Sequence, residues 1–332
     1  MDKIKHSPPV SCIVPMRNSS TTIIQTLDSI NIQSYPVKEI IIIDNVSTDN
    51  SKALVRLYKK TSKIPITLIE RNENKGVAAS YNLGTRKATS EFVIFMHSDA
   101  TLETKDEMTK LVEPLLNNPT VVATYSTIIN PKEIWEAYNF WQKCLFSQAV
   151  GKEKPGLNGK FDCLRKEDFL AIGGFDEKRF AGEKYIGGED AELHLRLQKK
   201  GEIVASEARV IHLHYLGKNY SLANWIGNRT LLARTYGRLI CLKWRELPIG
   251  AVVFGIKPVL AVLPFFPHLH AIGIVLLFLF SLLYSRQLFI HTSTLKDPHI
   301  FILPFIQIFL VYYETFWMIQ SFLSTKKTYN TQ

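Results

Sequence analysis

Short apolar runs broken by polar tips pattern the first hundred residues. Val10–Val14 ends in Pro15-Met16-Arg17-Asn18, and a helix-like segment follows from about Thr21 to Ile32. Glu39–Ile43, with four consecutive isoleucines, ends in Asp44-Asn45-Val46-Ser47-Thr48-Asp49. Ile66–Ile69 ends in Glu70-Arg71-Asn72, and Phe92–Met96 ends in His97-Ser98-Asp99. Near-continuous β-branched runs separated by helical stretches predict a parallel sheet buried on both faces. The polar tips then gather along one edge, at the carboxyl ends of the strands, where open α/β sheets bind ligands. An acidic residue on such a tip suits a hard divalent cation that carries a phosphorylated substrate. Taken alone, the same tip is also a strand followed by a solvated turn.

Two later segments add candidate chemistry. Gly173-Gly174-Phe175-Asp176-Glu177 and Gly187-Gly188-Glu189-Asp190 form the first. Paired glycines permit positive φ and close backbone approach, which suits a loop lining an acceptor site. Glu189-Asp190 opens a helical stretch, Ala191–Lys200, where a carboxylate is also ordinary helix-start chemistry. The second segment is Val210-Ile211-His212-Leu213-His214, whose two histidines share one face of a strand. A metal or phosphate role and a structural one both fit that pair. No GxSxG elbow and no Cys–His nucleophile pattern is present.

The ordered series VSCIVPMRN, EIIIIDNVSTDNS, NENKGVAASYNLGTRKATSEFVIFMHSDA, GGFDE and GGEDAELHLRL resembles family 2 glycosyltransferases of the GT-A fold, over about residues 8 to 215. Each motif is weak alone; five in this order are specific. The resemblance implies an α/β catalytic domain over residues 1–220 with a Rossmann-like mixed, mainly parallel sheet flanked by helices. Its donor half would cover about 8–100 and its acceptor half about 101–220. It implies inverting transfer of a sugar from a nucleotide-diphosphate sugar to a hydroxyl acceptor. Pro15, Arg17, Asp44, Arg71, Lys75, Gly76, His97 and Ser98 would bind the nucleotide sugar. Gly173, Gly174, Phe175 and Glu189 would bind the acceptor, and Asp190 would be the catalytic base. Asp99 would ligate Mg2+ or Mn2+ together with His212 or His214, between which the sequence does not choose. One departure stands out: the family's Asp-x-Asp tip is His97-Ser98-Asp99 here. A neutral His in place of an acid removes a negative charge and weakens metal binding. It hydrogen-bonds at the ribose or the metal shell, or simply caps the strand.

Charge and hydropathy set the context. The 332 residues carry a formal net charge of +10. The third from residue 222 onward holds ten Lys/Arg against three Asp/Glu, and five of those cations fall between Arg229 and Arg245. They precede three apolar segments, Ile249–Phe266, Ala271–Ile290 and Ile300–Leu323. Basic residues flanking such segments fit anionic lipid better than nucleic acid, so no nucleic-acid partner is expected. The second and third segments are long enough to cross a bilayer, although Glu314 in the third is costly unless it faces another helix. The first is proline-interrupted and reads as re-entrant or interfacial. Residues 221–248 form a basic amphipathic juxtamembrane segment suited to a helix at the membrane surface, or to a plain linker. The expectation is a multi-pass membrane protein with a cytoplasmic catalytic domain, two full spans, and a polyprenyl- or other lipid-linked acceptor. Four scattered cysteines and an N-terminus without an apolar signal core agree with a reducing compartment. Two other classes remain open: a catalytically silent GT-A scaffold or lipid-binding module, and a nucleotidyltransferase. The latter usually has a Gly-rich basic loop after its first strand, unlike Pro15-Met16-Arg17-Asn18.

Overall fold

The computed structural model describes residues 7–147, 149–180, 188–213, 220–243 and 249–329. His214 and Gly187, both singled out by the sequence, lie outside the described residues. The strands are β1 (Val10–Met16), β2 (Val37–Asp44), β3 (Ile66–Glu70), β4 (Phe92–Met96), β5 (Ala100–Leu102), β6 (Val121–Ile129), β7 (Glu153–Pro155), β8 (Phe161–Arg165) and β9 (Glu202–His212). The helices are α1 (Ile23–Asn31), α2 (Ser51–Tyr58), α3 (Gly76–Lys87), α4 (Glu107–Asn117), α5 (Phe140–Phe146), α6 (Lys166–Ala171), α7 (Glu177–Phe180), α8 (Glu189–Leu197), α9 (Leu222–Lys243), α10 (Ile249–Val262), α11 (His270–Tyr284), α12 (Arg286–Ile290), α13 (Thr292–Leu295) and α14 (Leu303–Tyr329).

The chain divides into two units. The first comprises the residues up to Pro131, Gly151–Tyr185 and Glu189–Tyr215. It holds one sheet in the order β3-β2-β1-β4-β8-β6-β9-β5, with β7 paired to β6. The isoleucine run of β2 serves both faces of this sheet. Ile40 and Ile42 join Val10, Cys12, Val14 and the apolar faces of α1 and α4; Ile41 and Ile43 join Ile13, α3, α6 and α8. Burial on both faces is what a run with no polar alternation requires.

The sheet is mixed, as expected, with parallel and antiparallel pairings in equal number among the described residues rather than a parallel majority. β3, β2, β1 and β4 run parallel, but β8 enters antiparallel to both β4 and β6, and β5 is antiparallel to β9. An apolar run shows that a strand is buried and leaves its direction open; the FDCLR of β8 packs equally well either way.

The second unit comprises Lys132–Val150, Ile186–Gly188 and the residues from Leu216 onward. The segment 132–150, expected inside the catalytic domain, thus belongs with the C-terminal helices. Trp135, Phe140 and Cys144 share an apolar cluster with Trp225, Leu288, Ile300, Leu303 and Leu310. The ends of this insertion meet at its base, where the Gly151 amide donates to the Asn130 carbonyl at 2.7 Å. Helices α9 and α14 approach so closely that a Cβ on Gly237 would lie 2.2 Å from the Met318 carbonyl oxygen. Glu314 is fully buried and paired with both Arg229 and Lys257, which resolves the cost of placing it in an apolar segment.

The two full spans expected at 271–290 and 300–323 are not formed as such. Helix α11 has 15 residues, about 22 Å of rise against a hydrocarbon core of about 30 Å, and the chain breaks at Ser285 before α12. Helix α14 is long, with 27 residues, but carries Gln307, Glu314 and Lys326. No helix among the described residues is long and apolar enough to cross a membrane. The unit nevertheless exposes a large apolar surface, including Val259, Phe265, Ile272, Val275, Leu283, Phe301, Phe305 and Phe316.

Candidate active site

The tips of β1, β2 and β4 and the first turn of α3 enclose a cavity of about 440 Å³ in the first unit. Pro15, Arg17, Asn45, Gly76, His97, Ser98 and Asp99 lie on its wall. Two non-glycine residues at these tips have left-handed backbone, Asn18 at φ 51° and Val46 at φ 60°. For a β-branched residue this is a true outlier, costing about 1–3 kcal/mol, and such strain concentrates at binding loops. Side chains enforce it. The Asn18 amide donates to Ser47 Oγ at 3.0 Å, the Thr48 amide to Asn18 Oδ1 at 2.8 Å, and the Ser47 amide to Asp44 Oδ2 at 3.1 Å.

Asp44 stands one residue behind Asn45 on the wall. It is buried, and its Oδ1 has no protein partner; the same is true of Arg71 Nη1. The Arg71 amide donates to the Asp44 carbonyl at 3.1 Å. A buried acceptor left unmet is costly, and a ligand would satisfy Asp44 Oδ1; the Arg71 guanidinium instead lies in the field of Glu177, Glu73 and Arg86. Lys75 turns away to pair with Glu73 at 2.5 Å on the surface, whereas Gly76 uses its φ of 79° to turn the chain into α3 beside the cavity. Ser98 is a clamp: its Oγ shares a hydrogen bond with Ser19 Oγ at 2.8 Å, and its carbonyl accepts from Thr22 Oγ1 at 2.8 Å.

The pairing of β5 with β9 gathers three side chains able to ligate a metal, called the metal-ligating group below. Ala100 lies opposite His212 in the register, and the Leu213 amide donates to the Asp99 carbonyl at 2.8 Å. This puts His212 Nε2 3.2 Å from Asp99 Oδ2 and leaves His97 Nδ1 3.7 Å from Asp99 Oδ1. The three residues can each offer one ligand atom, all within 4.8 Å of one another. Burial would push the Asp99 carboxyl up, but the His212 hydrogen bond and the neighbouring His97 and Lys160 hold it well below the usual carboxylate range. Burial, then Lys160, lowers His97 to about 3, so its imidazole is neutral at physiological pH. An ionised carboxylate with two imidazoles fits a divalent cation, and the nitrogen content suits Mn2+ better than Mg2+. The His that departs from Asp-x-Asp thus joins the metal-ligating group.

Three residues that sequence reasoning missed complete the site. Asn158, Gly159 and Lys160 form a turn held from three sides. The Asn158 and Gly159 amides donate to Asp162 Oδ2 at 2.8 and 2.5 Å, the Tyr81 hydroxyl donates to the Gly159 carbonyl at 2.6 Å, and the His97 amide donates to the Lys160 carbonyl at 3.3 Å. Burial raises Asp162 to about 7 against those two amides and Lys160, which favour its charged form. Asn158-Gly159 ahead of an apolar strand was the available turn signal.

Asp190, in the first turn of α8, is raised well above the carboxylate range, by burial first and then by Glu189 and Asp162. A carboxylate that holds its proton more tightly is a better base near neutral pH. Glu189 is buried beside it. Gly173, Gly174 and Phe175 lie on the loop between α6 and α7. They line a second cavity of about 410 Å³ with Asn82, Arg86, Glu177 and Arg196, at the far end of α3 from the metal-ligating group. Gly174, at φ 67°, admits the Asn82 side chain, whose Oδ1 would lie 2.4 Å from a Cβ there. Phe175 is buried against Tyr81, Phe95 and Phe169.

The fold is that of the GT-A glycosyltransferases. It is similar to the mannosyltransferase PcManGT from Pyrobaculum calidifontis, solved with GDP-Man and Mn2+: TM-score 0.54, 21% identity, covering 98% of this chain and 88% of that one. It is also similar to GalNAc-T7, solved with UDP, GalNAc and Mn2+: TM-score 0.55, 16% identity, covering 77% of this chain and 51% of that one. Residues 11–166, just under half of the chain, match the family model described as "Glycosyl transferase family 2". Curated relatives include a poly-beta-1,6-N-acetyl-D-glucosamine synthase of Staphylococcus epidermidis, 31% identical over 50% of this chain and 42% of that one. Another is a glucosyl-dolichyl phosphate glucuronosyltransferase of Haloferax volcanii, 25% identical over 57% of this chain and 63% of that one. The chain spans less than two thirds of the length of these curated relatives.

Proposed function

We propose that this chain is a metal-dependent, inverting glycosyltransferase that moves a sugar from a nucleotide-diphosphate sugar to a hydroxyl acceptor in cell-surface glycan or glycolipid synthesis. The observation that carries this reading is the ionised Asp99 between His97 and His212 on the wall of the cavity at the strand tips. The GDP-Man, UDP and Mn2+ held by the two structural neighbours support it.

Asp99, His97 and His212 would hold Mn2+ or Mg2+, which when bound neutralises charge on the diphosphate. Asp44 would offer its unmet acceptor to the nucleotide, and Pro15, Arg17 and Gly76 shape its cavity. In the transfer the acceptor oxygen forms a bond to the anomeric carbon as the bond to the β-phosphate oxygen breaks. The hydroxyl proton passes to a carboxylate oxygen of Asp190, and the electron pair of the broken bond leaves on the nucleoside diphosphate. The raised affinity of Asp190 for protons suits it to that role, and Glu189 would orient the acceptor.

The exposed apolar surface of the second unit supports association with a membrane, and so a lipid-linked acceptor. A catalytic unit facing the cytoplasm fits the basic residues that precede the apolar segments.

Thermal stabilisation by a panel of UDP-, GDP- and dTDP-sugars, with and without Mn2+, tests the donor and metal together. A tightly bound donor in excess stabilises by about 2–4 kcal/mol. That gain should need Mn2+ and disappear in Asp99→Ala. An Asp99→Ala protein that binds donor as well as wild type would show the metal assignment to be wrong.

A further inference from the structure

Lys160 takes no part in the chemistry above, yet its placement is tightly specified. The turn that carries it is tied to β8 through Asp162, to α3 through the Tyr81 hydroxyl, and to the β4 tip through the His97 amide. Gly159 precedes it at φ 75°, where a Cβ would press 3.1 Å from the Tyr81 ring and 3.5 Å from His97 Nε2. No side chain therefore separates this turn from the His97 imidazole. Lys160 is half-buried, and among the described residues its ammonium has no carboxylate within salt-bridge distance. It nevertheless stands in a field of acids. Its charge acts on His97 and, more weakly than their other neighbours, on Asp99, Asp162 and Asp190. A lysine surrounded by carboxylates but paired with none is poised for an anion brought in from outside.

We propose that Lys160 is a donor-binding residue whose ammonium holds the β-phosphate of the nucleoside diphosphate, on the Gly159 side of His97. This rests on the donor-site reading above. The chemistry of the departing group supports it. When the bond to the anomeric carbon breaks, its electron pair leaves on the β-phosphate oxygen and adds a negative charge there. A compact ammonium on a fixed turn meets that charge without reorganisation, and a charge-assisted hydrogen bond to phosphate is among the stronger kinds.

Calorimetric titration with UDP, GDP, dTDP and their monophosphates in the presence of Mn2+ tests the assignment on the full chain. Replacing Lys160 by Met should weaken binding of the preferred diphosphate about 10- to 100-fold, the range for losing one charged hydrogen bond. Binding of the matching monophosphate should change less than about threefold by the same reasoning. Lys160→Arg should retain most of the diphosphate affinity. Lys160→Gln, which keeps the length and polarity of the side chain, should behave like Lys160→Met. Mn2+ binding without nucleotide should be no weaker in any of the three, because removing a cation beside His97 and Asp99 does not oppose a divalent ion, whereas a collapsed turn beside His97 would weaken it. Diphosphate affinity unchanged in both Lys160→Met and Lys160→Gln would overturn this inference alone and leave the donor site standing. A wild-type protein that bound none of UDP, GDP and dTDP would overturn the donor-site reading, and the inference with it.

Discussion

At the scale of residues, the site is a set of carboxylates given different tasks by their surroundings. Asp99 is held ionised by His212, His97 and Lys160; Asp190 and Asp162 are pushed the other way by burial. Asp190→Asn keeps shape and most hydrogen bonding but removes the proton acceptor. Turnover should fall about 10²- to 10⁴-fold with donor affinity nearly unchanged, while Glu189→Gln should cost less. Because Asp190 is raised, its basic form accumulates only as pH climbs past the ordinary carboxylate range, so wild-type turnover should rise with pH there; a flat profile would contradict the assignment. Asp162 predicts a separate effect on stability. Its folded value of about 7 lies above its unfolded one. The metal-free protein should therefore be most stable below about pH 4 with respect to this group, losing that contribution as pH rises to about 7. Each unit of displacement corresponds to about 1.4 kcal/mol. Asp162→Asn should flatten this part of the stability curve, measured by urea denaturation from pH 4 to 8. An unchanged slope would show that Asp162 titrates normally. The strand-tip acids were legible in the sequence because a polar residue after an apolar run is a local signal. Lys160 and Asp162 were not, because their meaning comes from the antiparallel docking of β8 against β4, a pairing between residues far apart in the chain.

At the scale of elements, the four parallel strands could be read from their apolar runs, and the direction of the later strands could not. The expected acceptor glycines illustrate a related difficulty. A glycine pair records a need for positive φ or close approach, but not what approaches; at Gly174 it is the Asn82 side chain of α3. In the second unit, the close contact of α9 with α14 rests on Gly237, where a Cβ would meet backbone that cannot swing aside. Gly237→Ala should destabilise that packing by about 1–3 kcal/mol, the usual cost of overpacking. Gly227 and Gly255 meet nothing within 4 Å, so Ala at either should stabilise its helix by about 0.5–1 kcal/mol. Chemical denaturation of the three variants checks the contrast; Gly237→Ala as stable as wild type would remove the close-packing account.

For the molecule as a whole, chain order and unit membership differ. A simple truncation after residue 215 leaves Lys132–Val150 stranded, with Trp135, Phe140 and Cys144 deprived of the cluster that buries them. Such a fragment should aggregate. Removing 132–150 as well, and joining Pro131 to Gly151 through a short Gly-Ser link, should give a monodisperse first unit that still binds Mn2+, since the Asn130–Gly151 hydrogen bond already holds the cut ends together. Size-exclusion chromatography of the two fragments compares them directly; equal aggregation would show that the first unit depends on the second for more than this insertion. The apolar segments of the tail were plain in the sequence. Their division at Ser285, and the burial of Glu314 between Arg229 and Lys257, depend on helix contacts that hydropathy does not encode.

The pairing of β5 with β9 also fixes an order in time. The strands from β1 to β4 are contiguous in the chain and can zip together as soon as they leave the ribosome. Asp99 waits at the end of that early half for His212, which arrives more than a hundred residues later on the final strand and is drawn in by the register of Ala100 with His212. Long-range closure of this kind is slow compared with local pairing. The metal-ligating group is therefore among the last features of the sheet to assemble. A divalent ion that prefers the finished cluster would act as a latch on the maturing chain, and metal uptake during refolding would time its final step.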